Sequence, residues 1–300
     1  MLSIDNITLD FVKYLFFFTK KAKNKEQIIN LKGKILCNLF FESSTRTMLS
    51  FQTAMYRLGG EVINFNKDYS SLNKGETFSD TLKTMEHYAD VFVLRHPKKD
   101  FIYQASEIIK KPIINAGNGD GEHPTQALLD LFTIFSYFDI FDYKKSFNIL
   151  FIGDIKHSRT IHSLIKLIIK LFKNIHITLL PYCSELYPDN DLIKLIEEHQ
   201  KSVTIINDYS NLQEYDILYF TRLQKERLEE KLNKNIVYNF DIQFSKKHLE
   251  NIKENAIILH PLPRNEELST DIDNDNRCKY FEQVENGVYI RMAILRSIFS

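Results

Sequence analysis

The chain has 300 residues, enough for one large domain or two ordinary domains with sizeable cores. Its 39 Lys and Arg residues balance its 39 Asp and Glu residues, which argues against a strongly basic surface for binding nucleic acid. Hydrophobic residues make up 44% of the chain and aromatic residues 13%, which excludes a disordered chain and indicates a globular one.

The three cysteines support neither a disulfide framework nor a cysteine zinc site. Cys37, Cys183 and Cys278 are widely separated and odd in number, and the sequence has no Cys-x-x-Cys. The apolar run at residues 14–18 is too short to span a bilayer, and we interpret it as the buried face of a first helix. From these features we expect a cytoplasmic protein with no membrane partner and no nucleic-acid partner.

Short apolar runs alternate with helical patterns along the chain, and we interpret these runs as buried strands. The first half contains four of them, Ile35–Phe40, Val62–Phe65, Val91–Leu94 and Pro112–Asn115. The second half contains five, Phe147–Ile152, Ile175–Leu180, Val203–Ile206, Ile217–Phe220 and Ala256–Leu259. This alternation predicts an α/β fold of two domains, each a parallel sheet flanked by helices.

The boundary between the two predicted domains lies in a polar stretch, residues 142–146. A segment with helical spacing that ends at Phe141 leaves the first domain, which therefore covers residues 1–141. The second domain covers residues 146–285. The C-terminal segment, residues 286–300, is apolar with helical periodicity, and we expect it to pack back onto the first domain.

The segment Ser44-Thr45-Arg46-Thr47 follows the first predicted strand and precedes a helical pattern. A helix N-terminus attracts anions because its first N–H groups lack helical partners and the helix dipole is positive there. Arg46 adds a guanidinium that can grip phosphate through two hydrogen bonds. The alternative interpretation is that a hydroxyl of Ser44 or Thr45 caps the helix and Arg46 is a solvated surface charge.

Polar motifs follow the other predicted strands of the first domain. Ser71 and Lys74 lie in a loop after the second strand, and Arg95 follows the third. His123 and Gln126 lie three apart at the start of a helix, after a glycine-rich loop. Each motif alone is also typical of a loop or a surface charge. Together they occupy the carboxyl ends of strands, where ligands bind in open parallel sheets.

The second domain carries three further motifs of this kind. Arg159 begins a predicted helix, and Arg222 and Gln224 lie two apart after a strand, so that they point the same way if the chain is extended. The prolines on either side of Leu262, including Pro263, fix an irregular backbone whose carbonyls face a site. Cations thus follow at least five predicted strand ends without an acidic metal cage. This pattern suits two small anionic ligands, and we expect no metal and no cofactor.

An acidic stretch near the C-terminus has the spacing of a calcium-binding loop. Asp271, Asp273, Asp275 and Glu282 match its positions 1, 3, 5 and 12, but Asn276 stands at position 6, where the loop needs glycine. We therefore interpret this stretch as a solvated acidic loop.

Taken together, the motifs resemble the aspartate/ornithine carbamoyltransferase family, and they run in family order from Phe41 to Pro263. His-Pro-Leu-Pro-Arg and Thr-Arg-Leu-Gln resemble the aspartate branch, because the ornithine branch carries His-Cys-Leu-Pro. Met48 departs from the arginine that often follows Ser-Thr-Arg-Thr, which puts only local packing in doubt. The resemblance implies transfer of the carbamoyl group from carbamoyl phosphate to the amino group of L-aspartate. The products would be N-carbamoyl-L-aspartate and phosphate, in de novo pyrimidine (UMP) biosynthesis.

For the first domain, the resemblance implies a carbamoyl phosphate site with four catalytic residues, Arg46, Thr47, Arg95 and His123. The same four residues would bind carbamoyl phosphate together with Ser44, Thr45 and Gln126, and with Ser71 and Lys74 from the adjacent subunit. The phosphate would lie on residues 44–47, and the carbamoyl oxygen would be polarised by Thr47, Arg95 and His123. Attack of an amine builds negative charge on that oxygen, which such donors stabilise.

For the second domain, the resemblance implies an aspartate site formed by Lys74, Arg159, Arg222, Gln224, Leu262 and Pro263. The arginines and Gln224 would grip the carboxylates, and the backbone of Leu262 would contact the carbamoyl amide and the incoming amine. Glu42 would form interdomain ion pairs with Arg159 and Arg227.

The resemblance further implies a homotrimer with active sites shared between subunits. It leaves open whether a separate zinc-bearing regulatory chain binds the trimer. Two other functions also stay open from the residues alone. One is carbamoyl transfer to ornithine or a related amine, which would require an acidic or thiol partner where this chain has arginines. The other is a non-catalytic phosphate-binding paralogue.

Overall fold

The computed structural model describes residues 1–66, 70–142, 144–200, 202–223 and 240–300. The helices among them are α1 (Leu9–Lys23), α2 (Thr45–Arg57), α3 (Phe78–Glu86), α4 (Phe101–Ile108), α5 (Pro124–Tyr137), α6 (Arg159–Leu171), α7 (Asn190–Gln200) and α8 (Tyr280–Phe299). None of these helices combines the length and the hydropathy that a membrane crossing requires. The chain divides into two compact units, Met1–Leu129 with Glu285–Ser300, and Asp130–Val284.

The first unit contains a four-stranded parallel sheet in the order β2-β1-β3-β4. Its strands are β1 (Ile35–Phe40), β2 (Glu61–Asn66), β3 (Val91–His96) and β4 (Ile113–Asn118). The middle strands β1 and β3 are apolar through most of their length because parallel sheets are covered by helices on both faces. One core cluster joins strand side chains such as Leu39, Phe92 and Leu94 to helix side chains such as Leu82 and Ile102.

The second unit contains a five-stranded parallel sheet in the order β7-β6-β5-β8-β9. Its strands are β5 (Phe147–Gly153), β6 (Ile175–Pro181), β7 (Thr204–Ile205), β8 (Ile217–Phe220) and β9 (Ile257–Leu259). Strand β5 lies at the centre, where Ile149 and Leu150 are fully buried. The predicted fold class, two parallel sheets flanked by helices, is confirmed.

All nine predicted strands are present, but β3 and β4 run two to three residues further than predicted. Arg95 and His96 are therefore part of β3, and residues 116–118, which we expected in a glycine-rich loop, are part of β4. The extension contains one polar side chain, that of Asn118, and Asn115 stabilises the extension through two hydrogen bonds. Asn115 Oδ1 accepts the N–H of Gly117 at 2.8 Å, and its amide donates to Asn118 Oδ1 at 3.1 Å.

The prediction that residues 14–18 form a buried helix face is wrong in part. Phe17 is 55% exposed, and Tyr14 and Phe18 are half-buried. Five consecutive residues span more than one helical turn, so they cannot all share one face. The buried stripe has helical spacing instead, with Val12, Leu15, Phe16, Thr19 and Ala22.

Gly119 allows a close backbone approach in the loop between β4 and α5. Its φ is +57°, and its N–H donates to the backbone carbonyl of His96 at 2.8 Å. A Cβ at this position would overlap the carbonyl oxygen of Pro97. Gly33, in the same unit, has φ +77°, but nothing lies within 4 Å of the position of its Cβ. An alanine at Gly33 would therefore add only the strain of a left-handed backbone, whereas an alanine at Gly119 would add that strain and a steric overlap.

We predict that Gly119→Ala destabilises the first unit by roughly 2–4 kcal/mol, against about 1 kcal/mol for Gly33→Ala, because overlap adds to the shared conformational strain. Urea unfolding followed by circular dichroism measures the difference between the two variants. Equal midpoints for both would show that the overlap is relieved without cost.

Candidate functional site

The strand ends of the first unit place several predicted site residues along one edge of its sheet. In the β1–β3 register, Arg95 lies opposite Phe40, the last residue of β1. In the β3–β4 register, His96 lies opposite Asn118, the last residue of β4. Residues 42–47 follow β1 and His123 follows β4, so both start from the edge where Arg95 is located.

The N-terminus of α2 carries the Ser-Thr-Arg-Thr segment. Ser44 is the N-cap residue with an extended backbone, yet within the described residues its side chain makes no capping hydrogen bond. The hydroxyls of Thr8 and Thr77, by contrast, do cap α1 and α3. The alternative that the Ser44 hydroxyl serves as a cap is therefore wrong. Arg46 is exposed, which suits contact with a ligand from solvent.

Thr47 and His123 come together from two different elements. Thr47 Oγ1 lies 3.5 Å from His123 Nε2, and His123 Nδ1 lies 3.5 Å from the hydroxyl of Thr125. Thr47 is 6% exposed and His123 is 4% exposed. The structure thus joins two of the four predicted catalytic side chains in a nearly dry environment, where a hydrogen bond to developing charge is strong.

Arg95 is held from two sides at the end of β3. Its Nε lies 3.2 Å from Glu42 Oε2, and its Nη1 donates to the carbonyl of Ala116 at 3.4 Å. The side chain is 11% exposed, so its flexibility is restricted. Glu42 therefore has an ion pair within its own unit, and its predicted pairs with Arg159 and Arg227 stay predictions.

Gln126, Ser71 and Lys74 have different environments. Gln126 lies in the first turn of α5, where its N–H donates to the carbonyl of His123 at 3.0 Å. Ser71 and Lys74 lie on an exposed 3₁₀ turn, Ser71–Lys74, that ends at Gly75 with φ +92°. Among the described contacts, none joins this turn to His123.

In the second unit, two predicted cations follow neighbouring strands. Arg159 is the first residue of α6, which is capped by the Ser158 hydroxyl, and α6 follows β5. Arg222 comes two residues after β8, which pairs with β5. Both side chains are partly exposed. Gln224 and Arg227 lie outside the described residues.

Leu262 has the irregular backbone that the flanking prolines predicted. Its φ is +56°, a left-handed conformation that costs about 1–2 kcal/mol for a residue with a Cβ. The Leu262–Pro263 peptide bond is cis. The N–H of Leu262 donates to His260 Nδ1 at 2.8 Å. This hydrogen bond, which the sequence did not indicate, helps to hold the left-handed conformation.

Sequence reasoning missed the partner of His260. His260 Nε2 lies 3.0 Å from Glu267 Oε1, and both side chains are buried. Burial alone would raise the pKa of Glu267, but hydrogen bonds from His260 and from the N–H of Asn265 lower it, and the net shift is downward. Glu267 is thus held as a carboxylate that accepts a hydrogen bond from His260 Nε2.

A second missed pair precedes Arg159. Asp154 is fully buried at the end of β5, and it accepts the N–H of His157 at 2.9 Å and contacts His157 Nδ1 at 3.1 Å. The pair fixes the turn from which α6 starts. An aspartate directly after the glycine that ends a buried strand was the available signal.

The acidic stretch is ion-paired rather than solvated, so that expectation is wrong for Asp273 and Asp275. Asp273 contacts Arg264, and Asp275 contacts Arg277 at 2.8 Å. The hydrogen bond from Arg264 lowers the pKa of Asp273, and the one from Arg277 lowers the pKa of Asp275. Within the described residues, no cluster of three or more potential metal ligands is present.

Two family models match the chain. Residues 1–136 match the carbamoyl-P binding domain of aspartate/ornithine carbamoyltransferase. Residues 145–298 match the Asp/Orn binding domain of the same family.

Relatives and a solved structure agree with these matches. The chain is 40% identical over 291 residues to the aspartate carbamoyltransferase catalytic subunit of Picrophilus torridus, covering 92% of this chain and 88% of that one. It is 42% identical over 277 residues to multifunctional protein pyr1-3 of Dictyostelium discoideum, covering 90% of this chain but 12% of that much longer protein.

The structure of Trypanosoma cruzi aspartate transcarbamoylase in complex with carbamoyl phosphate and aspartate superposes with a TM-score of 0.86. The two sequences are 38% identical, and the match covers 99% of this chain and 94% of that one. The chain therefore belongs to the aspartate/ornithine carbamoyltransferase family.

Proposed function

We propose that this chain catalyses carbamoyl transfer from carbamoyl phosphate to L-aspartate, giving N-carbamoyl-L-aspartate and phosphate. The observation that carries the proposal is the convergence in the first unit, where Thr47 contacts His123 and Arg95 lies at the same sheet edge. The similarity to aspartate carbamoyltransferases over nearly the whole chain supports the choice of substrates.

The first unit provides the groups for carbamoyl phosphate. The N-terminus of α2, with the hydroxyls of Ser44, Thr45 and Thr47 and the guanidinium of Arg46, would bind the phosphate, because N–H groups, dipole and charge all favour an anion there. Gln126, in the first turn of α5, would contact the carbamoyl group.

The carbamoyl oxygen would be polarised by Thr47, Arg95 and His123. As the amine attacks, negative charge grows on this oxygen, and donors already fixed in position stabilise it without reorganising. Arg95 is fixed by its contacts with Glu42 and with the carbonyl of Ala116, and His123 is fixed by its burial. The departing phosphate would accept the amine proton, so no side-chain base is required.

The second unit provides the groups for L-aspartate. Arg159 and Arg222 follow adjacent strands and would bind its two carboxylates, aided by Gln224. The backbone of Leu262 and Pro263 would contact the carbamoyl amide and the incoming amine. An ornithine side chain would place an ammonium group among arginines, which is unfavourable.

We place this activity in pyrimidine biosynthesis in the cytoplasm. Residues 1–141 with 286–300 would form the carbamoyl phosphate-binding domain and residues 146–285 the aspartate-binding domain. A zinc-bearing regulatory chain would be a separate partner, and native mass spectrometry of the protein from its source would identify one by its mass.

We predict that the purified protein transfers the carbamoyl group to L-aspartate with a kcat/KM at least about 100-fold above that for ornithine, because charge complementarity separates the two acceptors. Radiolabelled carbamoyl phosphate measures both reactions. Arg222→Ala should raise KM for aspartate far more than KM for carbamoyl phosphate.

Preferential transfer to ornithine would assign the chain to the other branch of the family. Phosphate binding without transfer to either amine would identify a non-catalytic paralogue. Equal loss of both affinities in Arg222→Ala would remove Arg222 from the amino-acid site.

We further propose a homotrimer whose active sites are shared, with Ser71 and Lys74 reaching the site of the adjacent subunit. The exposure of the Ser71–Lys74 turn supports this arrangement, since both side chains can be reached by another chain. Lys74 would add a cation that both anionic substrates can use.

We predict that Arg46→Ala and Lys74→Ala subunits, each nearly inactive alone, regain activity when dissociated and reassembled together. Random mixing leaves about one site in four with an intact Arg46 host and an intact Lys74 donor, so roughly a quarter of wild-type activity should return. Steady-state assays of the mixture, with hybrid trimers identified by native mass spectrometry, measure the recovery.

The matched control mixes Arg46→Ala subunits with Arg46→Ala/Lys74→Ala subunits, which provide no intact host and should stay inactive. Hybrid trimers without recovered activity would show that each chain completes its own site.

A further inference from the structure

Five buried polar residues of the second unit form a connected set, which we call the His260 network. Its members are His260, Glu267, Gln283, Asp130 and Tyr219, each at most 1% exposed. One arm joins His260 to Glu267 and to the N–H of Leu262, as described above. Because Nδ1 accepts the Leu262 N–H, the imidazole proton lies on Nε2 and is donated to Glu267.

The other arm of the network runs from His260 to strand β8. The backbone N–H of His260 donates to Gln283 Oε1 at 3.0 Å, and the Gln283 amide donates to Asp130 Oδ1 at 2.5 Å. Tyr219 donates its hydroxyl to Asp130 Oδ2 at 2.7 Å. Burial, the charge of Asp130 and its hydrogen bond raise the pKa of Tyr219 well above its usual value, so Tyr219 keeps its proton.

The two ends of the network are elements that carry proposed aspartate contacts. One end is Leu262, whose left-handed backbone depends on an acceptor for its N–H. The other end is Tyr219 in β8, three residues before Arg222. Two buried carboxylates are costly compared with an apolar core of similar volume, so stability alone gives little reason for this arrangement.

We propose that His260 is a positioning residue that orients the backbone of Leu262 toward the amino-acid substrate, with Glu267 fixing its tautomer and Gln283, Asp130 and Tyr219 tying it to β8. The inference rests on the proposed function, because it takes Leu262 as a substrate contact. Without the acceptor at Nδ1, the peptide at Leu262 relaxes from its left-handed conformation and its carbonyl turns.

Two substitutions at His260 separate positioning from stability. In His260→Asn, the side-chain oxygen replaces Nδ1 as acceptor for Leu262, but the shorter side chain has no atom that reaches Glu267. In His260→Gln, the side-chain amide replaces Nε2 as donor to Glu267, but the acceptor for Leu262 is lost. His260→Asn leaves the buried carboxylate of Glu267 with the N–H of Asn265 but without its side-chain donor, and is the less stable variant.

The variant of the two that is less stable should therefore be the more active one. We predict that His260→Asn has the lower urea midpoint yet at least a tenfold higher kcat/KM for aspartate than His260→Gln, with similar KM values for carbamoyl phosphate. Activities that follow the order of stability, or that are equal, would overturn the proposal. Failure of the wild-type protein to carbamoylate aspartate would instead refute the proposed function.

A second measurement serves if neither variant folds. In the wild-type protein labelled with ¹⁵N-histidine, His260 should show a proton on Nε2 and none on Nδ1, and Glu267→Gln identifies its signals by perturbing them. A proton on Nδ1 would contradict the proposal, because Nδ1 could not then accept the N–H of Leu262.

Discussion

Parallel pairing of strands places every carboxyl end on the same edge of a sheet, and the candidate site depends on that constraint. Residues more than 70 positions apart, Thr47 and His123, contact each other because each is on a segment that leaves this edge. Helices that begin there present N–H groups and positive dipole ends toward the same side. An edge of this kind becomes a site for anions once arginines are added to it.

A cationic residue at this edge does not by itself make a preorganised site, because long cationic side chains are flexible. Arg95 is fixed by Glu42 and by a backbone carbonyl, and Leu262 is fixed by His260. His260 and Ala116 are buried and Glu42 is partly buried, and loss of the partner of a buried polar atom costs roughly 1–3 kcal/mol. In the proposed site, the rigidity therefore comes from residues that we do not place in contact with a substrate.

The strands and the anion-binding motifs could be predicted because their signals are local in sequence. The run Ile149–Ile152 is apolar throughout, and Ser-Thr-Arg-Thr lies directly between a strand and a helix. The partners of His260 could not be predicted, since they come from a loop seven residues on and from α8. Asp130 offered a signal, as a lone charge within the apolar run of α5, but its partners depend on tertiary structure.

The central claim is that the first unit binds the phosphate and the second unit binds the aspartate carboxylates. A crystal structure with N-(phosphonacetyl)-L-aspartate, which joins both groups in one molecule, tests it most directly. We expect the phosphonate oxygens within about 3 Å of Ser44, Thr45, Arg46 and Thr47, and the carboxylates within about 3 Å of Arg159 and Arg222. A phosphonate bound at the start of α6, or a ligand bound away from both arginines, would contradict the account.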